Sequence, residues 1–157
     1  MKNIVIKNIE GIRLHMPKLV ADNWPILLLD EFPNFCGAGT GLGEVAVPDT
    51  MYGVSVRHVC FIHDCMFNLM SPDKDNWHYA NDIMLMNNLA TIRVMSNTFM
   101  RPFRSFRALN YYGAVESGFG WKAFTNRRWI ENYDPYQDSE LAKVFAKVGV
   151  KQLLRKE

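Results

Sequence analysis

The sequence contains no apolar run approaching the roughly 18 residues that a membrane-crossing helix requires, so no helical span is expected. Its first residues, MKNIVIKNIEGIRLH, alternate polar and apolar side chains, with no apolar block behind a basic start. They therefore read as lacking a secretory signal. Cysteine is scarce: Cys36, Cys60 and Cys65 are an odd set of three, which excludes a disulfide-built scaffold and leaves at least one thiol free or paired between molecules. Charge of one sign is missing too. Eighteen Lys and Arg stand against 16 Asp and Glu, a formal charge of +2, so no nucleic-acid partner is implied. Internal repeats and low-complexity tracts are also lacking, and the expected setting is cytoplasmic or virion-associated.

What is present is core material. In 157 residues, 48% are apolar and 22% charged, the balance of one globular domain rather than of a disordered or fibrous chain. Ten Phe, six Tyr, four Trp and nine Met add bulk for a crowded interior.

The patterning predicts a mainly α chain with a small N-terminal β element. Residues 1–30 carry short strands: Ile4 to Ile9, then Ile12, Leu14 and Met16 in alternation, then the apolar run from Pro25 to Leu29. From 31 to 53 the periodicity gives way to Gly37, Gly39, Gly41, Gly43, Pro48 and Gly53, an irregular loop. A helix over 54–70 follows, with Val56, Val59, Cys60, His63, Phe67 and Met70 on one stripe. A second, capped near Asp75 or Asn76, is expected over 76–97, with Asp82 sharing a face with Tyr79, Met86 and Leu89. A third over 101–117 should stop at Gly118 and Gly120, and an amphipathic, Lys-rich helix over 138–155 closes the chain. That last helix could dock on the domain or on an anionic membrane surface.

The densest chemistry lies in HVCFIHDCMF, residues 58–67. Zinc is one reading, with Cys60, His63 and His58 or Cys36 as ligands, although no paired-ligand spacing accompanies them. A hydrolytic dyad is the other. On a helix, His63 and Asp64 project about 100° apart, so one can face a cleft and the other a loop. If the second helix packs antiparallel on the first, Asp82 can reach a ring nitrogen of His63 and fix its tautomer, making His63 a general base toward water. Asp64 beside inward-turned loop carbonyls offers the hard oxygens that Ca²⁺ prefers. Tyr111 or Tyr112 could donate a hydrogen bond to Asp82.

The strings NFCGAGTG, VPDTMYGVSVRHVCFIHDCMF and YANDIMLMNNL, over residues 35 to about 90, resemble the phospholipase A2 superfamily. Cys36, Gly37 and Gly39, then Cys60, His63, Asp64 and Cys65, stand in the order of its calcium loop and catalytic helix. The bacterial and fungal branch matches best: Pro48 and Asp49, with Gly53 four residues and His63 fourteen residues after that Asp. Residues 107–120, RALNYYGAVESGFG, look like uncharacterised phospholipase A2-like proteins of phages and prophages.

The resemblance implies a phospholipase A2-like antiparallel helix pair with additional helices, and a Cys36–Cys60 disulfide. It implies calcium held by Asp49 and Asp64 with Gly37 and Gly39, and catalysis by His63 oriented by Asp82, nineteen residues on. The expected activity is calcium-dependent hydrolysis of phospholipid acyl esters at a membrane surface. Phe67, where the secreted enzymes usually have tyrosine, motivates an alternative: a catalytically silent phage structural or interaction protein with a phage or host protein partner.

Overall fold

The computed structural model describes residues 3–22, 24 and 50–125. The expected strand at 25–29, the glycine-rich stretch up to 49 and the C-terminal helix over 138–155 lie outside the described residues. Within them the protein is mainly helical with a small two-stranded N-terminal sheet.

Strands β1 (Ile4–Ile9) and β2 (Ile12–Pro17) form an antiparallel hairpin in which Ile9 pairs with Ile12. The turn residues Glu10 and Gly11 both have positive φ, 52° and 84°, the backbone that matches strand twist across a two-residue loop. The Asn8 carboxamide oxygen accepts from the Gly11 amide at 2.9 Å. Alternation along β2 buries Ile12, Leu14 and Met16, and helix α1 (Lys18–Asp22) adds Val20 and Ala21.

The irregular loop expected through Gly53 ends earlier. Thr50–Met51 (β3) and Val54–Ser55 (β4) pair antiparallel around Tyr52 and Gly53, whose φ values of 48° and 82° repeat the geometry of the first turn. Met51 and Val54 are buried by this ladder. Helix α2 therefore starts at Arg57 and runs to Leu69, and Val54 and Ser55 belong to a strand.

Helix α3 (Lys74–Met95) begins two residues before the expected start, because Asp73 is its cap: the carboxylate accepts from the Asn76 amide at 2.8 Å. The connection of residues 70–73 folds α3 back along α2. Helix α4 (Arg101–Val115) has Pro102 in its first turn, where a missing amide proton costs nothing. The chain does not stop being helical at Gly118. Helix α5 (Gly118–Thr125) starts there and buries Phe124.

Gly120 is required because the start of α5 lies against the end of α4. A methyl group at 120 would collide with the Val115 carbonyl. Helix α3 is the central element, packed on α2, α4 and β2. No helix of the described residues is long and apolar enough to cross a membrane.

One polar contact ties the sheet to this helix. The fully buried Asn87 side chain accepts from the His15 amide and donates to the His15 carbonyl, both at 2.7 Å. It takes the place of a third strand along β2.

Replacing Asn87 by Leu leaves both backbone groups buried without partners, and should cost about 2–4 kcal/mol in urea denaturation. Gly120→Ala should lower stability by about 1–3 kcal/mol, read as a lower thermal midpoint.

Candidate functional site

Three helices meet at His63. Its place on the buried stripe of α2 leaves the ring 6% exposed, and the return of the chain through residues 70–73 brings α3 alongside. The group opposite is Asn81, whose Oδ1 lies 2.8 Å from His63 Nε2. The Asn81 amide nitrogen donates to Glu116 Oε1 at 2.8 Å and to the Val115 carbonyl at 3.3 Å. Since both of those groups are acceptors, the carboxamide orientation is fixed. Its oxygen faces the imidazole, so Nε2 carries the ring proton and Nδ1 holds the lone pair.

The chain of contacts continues outward. Glu116, just beyond α4, presents its second oxygen to His78 Nδ1 at 2.8 Å, and His78 is half-exposed. Trp77 Nε1 shares the Val115 carbonyl at 3.1 Å. On the other side, the His63 ring lies 4.1 Å from that of Phe67, which packs edge-on against Phe124 at 4.8 Å.

Burial lowers the His63 pKa to about 4, only partly opposed by the Asn81 hydrogen bond, so the imidazole is neutral at pH 7.

The carboxylate expected at His63 is elsewhere. Asp82 is one position beyond Asn81, about 100° around the helix, and faces solvent. It accepts from the Tyr112 hydroxyl at 2.9 Å, the tyrosine contact expected for it. Desolvation, then the bond to Asp82, push the Tyr112 hydroxyl up to about 12. Asp82 had been placed inward because it shares a face with Met86 and Leu89, but both of these are exposed, 46% and 40%. Tyr111, the other candidate, is buried and directs its hydroxyl to the Thr50 carbonyl at 3.4 Å.

Asp64 is adjacent to His63 and half-buried. The other expected calcium ligands, Asp49, Gly37 and Gly39, lie outside the described residues, as does Cys36. Cys60 is disulfide-bonded and so cannot serve zinc as a thiolate. Cys65 is a free, buried thiol; burial, and secondarily the Asp64 charge, push its pKa up, so it is not a poised nucleophile. Among the described residues no three His, Cys, Asp or Glu side chains group as a metal site.

Asn81 and Glu116 are the residues that the sequence reading passed over. The available signal was a run of amides at 81, 87 and 88 on a helix otherwise supplied with apolar residues. Comparison of the chain with family models, with curated proteins and with solved structures found no match.

The depressed pKa makes His63 a pH-dependent element of stability. In the unfolded chain it binds a proton below about 6.5, and in the folded chain only below about 4. Stability is therefore full above pH 6.5 and falls as pH drops toward 4, by about 3 kcal/mol from this residue. Denaturation of the parent chain and of His63→Gln at pH values across that window should show the parent losing more stability by about this amount in total.

Proposed function

We propose that the protein is a phospholipase A2-like hydrolase that cleaves phospholipid acyl esters with calcium as its cofactor. The observation that carries this reading is the tautomer of His63. With its Nε2 proton committed to Asn81, a neutral imidazole keeps the Nδ1 lone pair for a water molecule, as a general base requires. Asn81 is its positioning residue, and Glu116 behind Asn81 supplies the negative charge that the expected Asp82 contact would have supplied directly.

The donor set for the metal is Asp64 with Asp49 and the carbonyls of Gly37 and Gly39, all hard oxygens of the kind that calcium takes. Calcium bound there would polarise the ester carbonyl and stabilise the developing oxyanion. His63 Nδ1 draws a proton from the water whose oxygen adds to the ester carbonyl, and returns it to the departing alcohol oxygen; Phe67 lies against the imidazole, with Phe124 edge-on behind Phe67.

A second reading has support of its own. A base whose pKa has fallen to about 4, backed by an amide rather than a carboxylate, is a weak one. The same fold could serve as a silent phage structural or interaction module.

Release of fatty acid from phospholipid vesicles, measured with calcium and with chelator, separates the two. The hydrolase reading expects calcium-dependent release that falls at least about a hundredfold in His63→Gln. It also expects calorimetric calcium binding that Asp64→Asn removes, and Asp82→Asn within a few-fold of the parent, since Asp82 bonds Tyr112 rather than His63. No release and no heat of calcium binding would favour the silent module.

A further inference from the structure

The hydrogen bonds behind His63 continue to the surface. They run from the imidazole through Asn81 and Glu116 to His78, 2.8 Å at each link. His63 and Asn81 are buried, the Glu116 side chain is 18% exposed and that of His78 50%. A carboxylate only accepts, so both neighbours of Glu116 donate to it, Asn81 through its amide and His78 through Nδ1. Every proton along the line therefore points toward Glu116, beginning with the one on His63 Nε2.

Glu116 stands where a carboxylate is disfavoured. It is the residue just past α4, at the end where helix carbonyls gather partial negative charge, and the last turn of α4 carries no basic residue. A second carboxylate acts on the same neighbour: burial, then the bond and charge of Asp82, then the charge of Glu116 push up the Tyr112 hydroxyl. Lys74, one turn before His78 on α3, lies instead over the Trp77 and Trp121 rings, 4.6 and 4.2 Å from their centroids. The donors that hold Glu116 in place are Asn81 and His78. The His78 ring is set in turn by Trp77, whose ring centroid is 4.6 Å away and whose Nε1 donates to the Val115 carbonyl. Trp77, His78 and Asn81, within about one turn of α3, close together on the end of α4.

We propose that His78 is a positioning residue for His63: by donating to Glu116 it keeps that carboxylate turned to Asn81, and so fixes from the surface which nitrogen of the buried imidazole bears the proton. Without this donor Glu116 can turn to water, and the Asn81 nitrogen keeps only its longer contact, 3.3 Å to the Val115 carbonyl. The carboxamide is then free to present its nitrogen to the imidazole, which moves the ring proton to Nδ1 and removes the lone pair that a base needs. This positioning is a property of the ring; only its effect on turnover rests on the hydrolase reading.

Nitrogen NMR of the full chain labelled in histidine reads the two ring nitrogens of His63 separately. The parent should show the proton on Nε2 and a bare Nδ1. His78→Ala should speed solvent exchange of the Nε2 proton by about two- to fivefold, as expected for a half-exposed pair. Glu116→Ala should speed it by about tenfold or more, as expected for loss of a partner to a buried amide, and should add a second ring form protonated at Nδ1. His78→Gln keeps a donor for Glu116 and should restore the parent's exchange rate. In vesicle hydrolysis, His78→Ala should lower kcat by about the same two- to fivefold with KM unchanged.

Ring nitrogens and exchange in His78→Ala that match the parent overturn the proposal, even where the thermal midpoint falls, since a merely structural role moves only the midpoint. Failure of His78→Gln to restore exchange also overturns it, because His78 would then act through its packing on Trp77. If the parent hydrolyses nothing, the hydrolase reading fails and the NMR comparison still decides the positioning. Unchanged ring nitrogens in an active parent refute the positioning alone.

Discussion

The Asn81 side chain joins three helices through one carboxamide. Its oxygen holds the imidazole of α2, and its nitrogen closes the C-terminal end of α4 through Val115 and Glu116. Only an amide can fill this place. A carboxylate could accept from His63, but it would then face the Glu116 carboxylate where the amide now donates, and two like charges there would raise one another's pKa or separate. An apolar side chain would leave the buried imidazole without its partner, and the Val115 carbonyl with Trp77 alone. A carboxylate therefore cannot stand at 81 while Glu116 stands where it does, and Asp82, one residue along the chain, meets Tyr112 instead.

Much of the fold follows from local rules. The first two strands were legible from the alternation in Ile12, Leu14 and Met16, whereas their pairing through the Glu10–Gly11 turn is seen only in the structure. The extents of α2 and α4 were legible to within a few residues from apolar spacing and from Pro102. Two features escaped. The β3–β4 ladder is only two residues long on each side, too short to show any period. Gly118 and Gly120 look like a stop signal, yet Gly120 serves close approach to Val115, a tertiary requirement that no local pattern carries.

The site was half legible for a related reason. His63 was found because its neighbours on α2 are apolar at helical spacing, so a polar ring on that stripe stands out. Its partner was misplaced although the apolar spacing of α3 marks Ala80, Ile83, Met84 and Ile92 as core and all four are buried, because amides are buried among them. Asp82 shares a face with Met86 and Leu89, and those two apolar residues point outward. The face that packs carries Asn81, Asn87, Asn88 and Thr91 among the apolar Trp77, Ala80, Ile83, Met84 and Ile92. Amides can be buried when their hydrogen bonds are met, and two of the three asparagines meet theirs with groups no local window contains: the His15 backbone, and Glu116 with Val115.

The amides buried on α3 have an energetic consequence for the outer surface. Buried, bonded amides contribute little net stability compared with the methionines and leucine that could have stood there, because they only replace hydrogen bonds to water. Met86, Leu89, Val94 and Met95, all 40% exposed or more, meanwhile leave apolar area in water on the outside. A helix that buries four polar residues while four apolar ones stay in water gives up part of the burial energy it could gain on folding. The helix that follows repeats the outward choice with Phe103, Phe106 and Leu109.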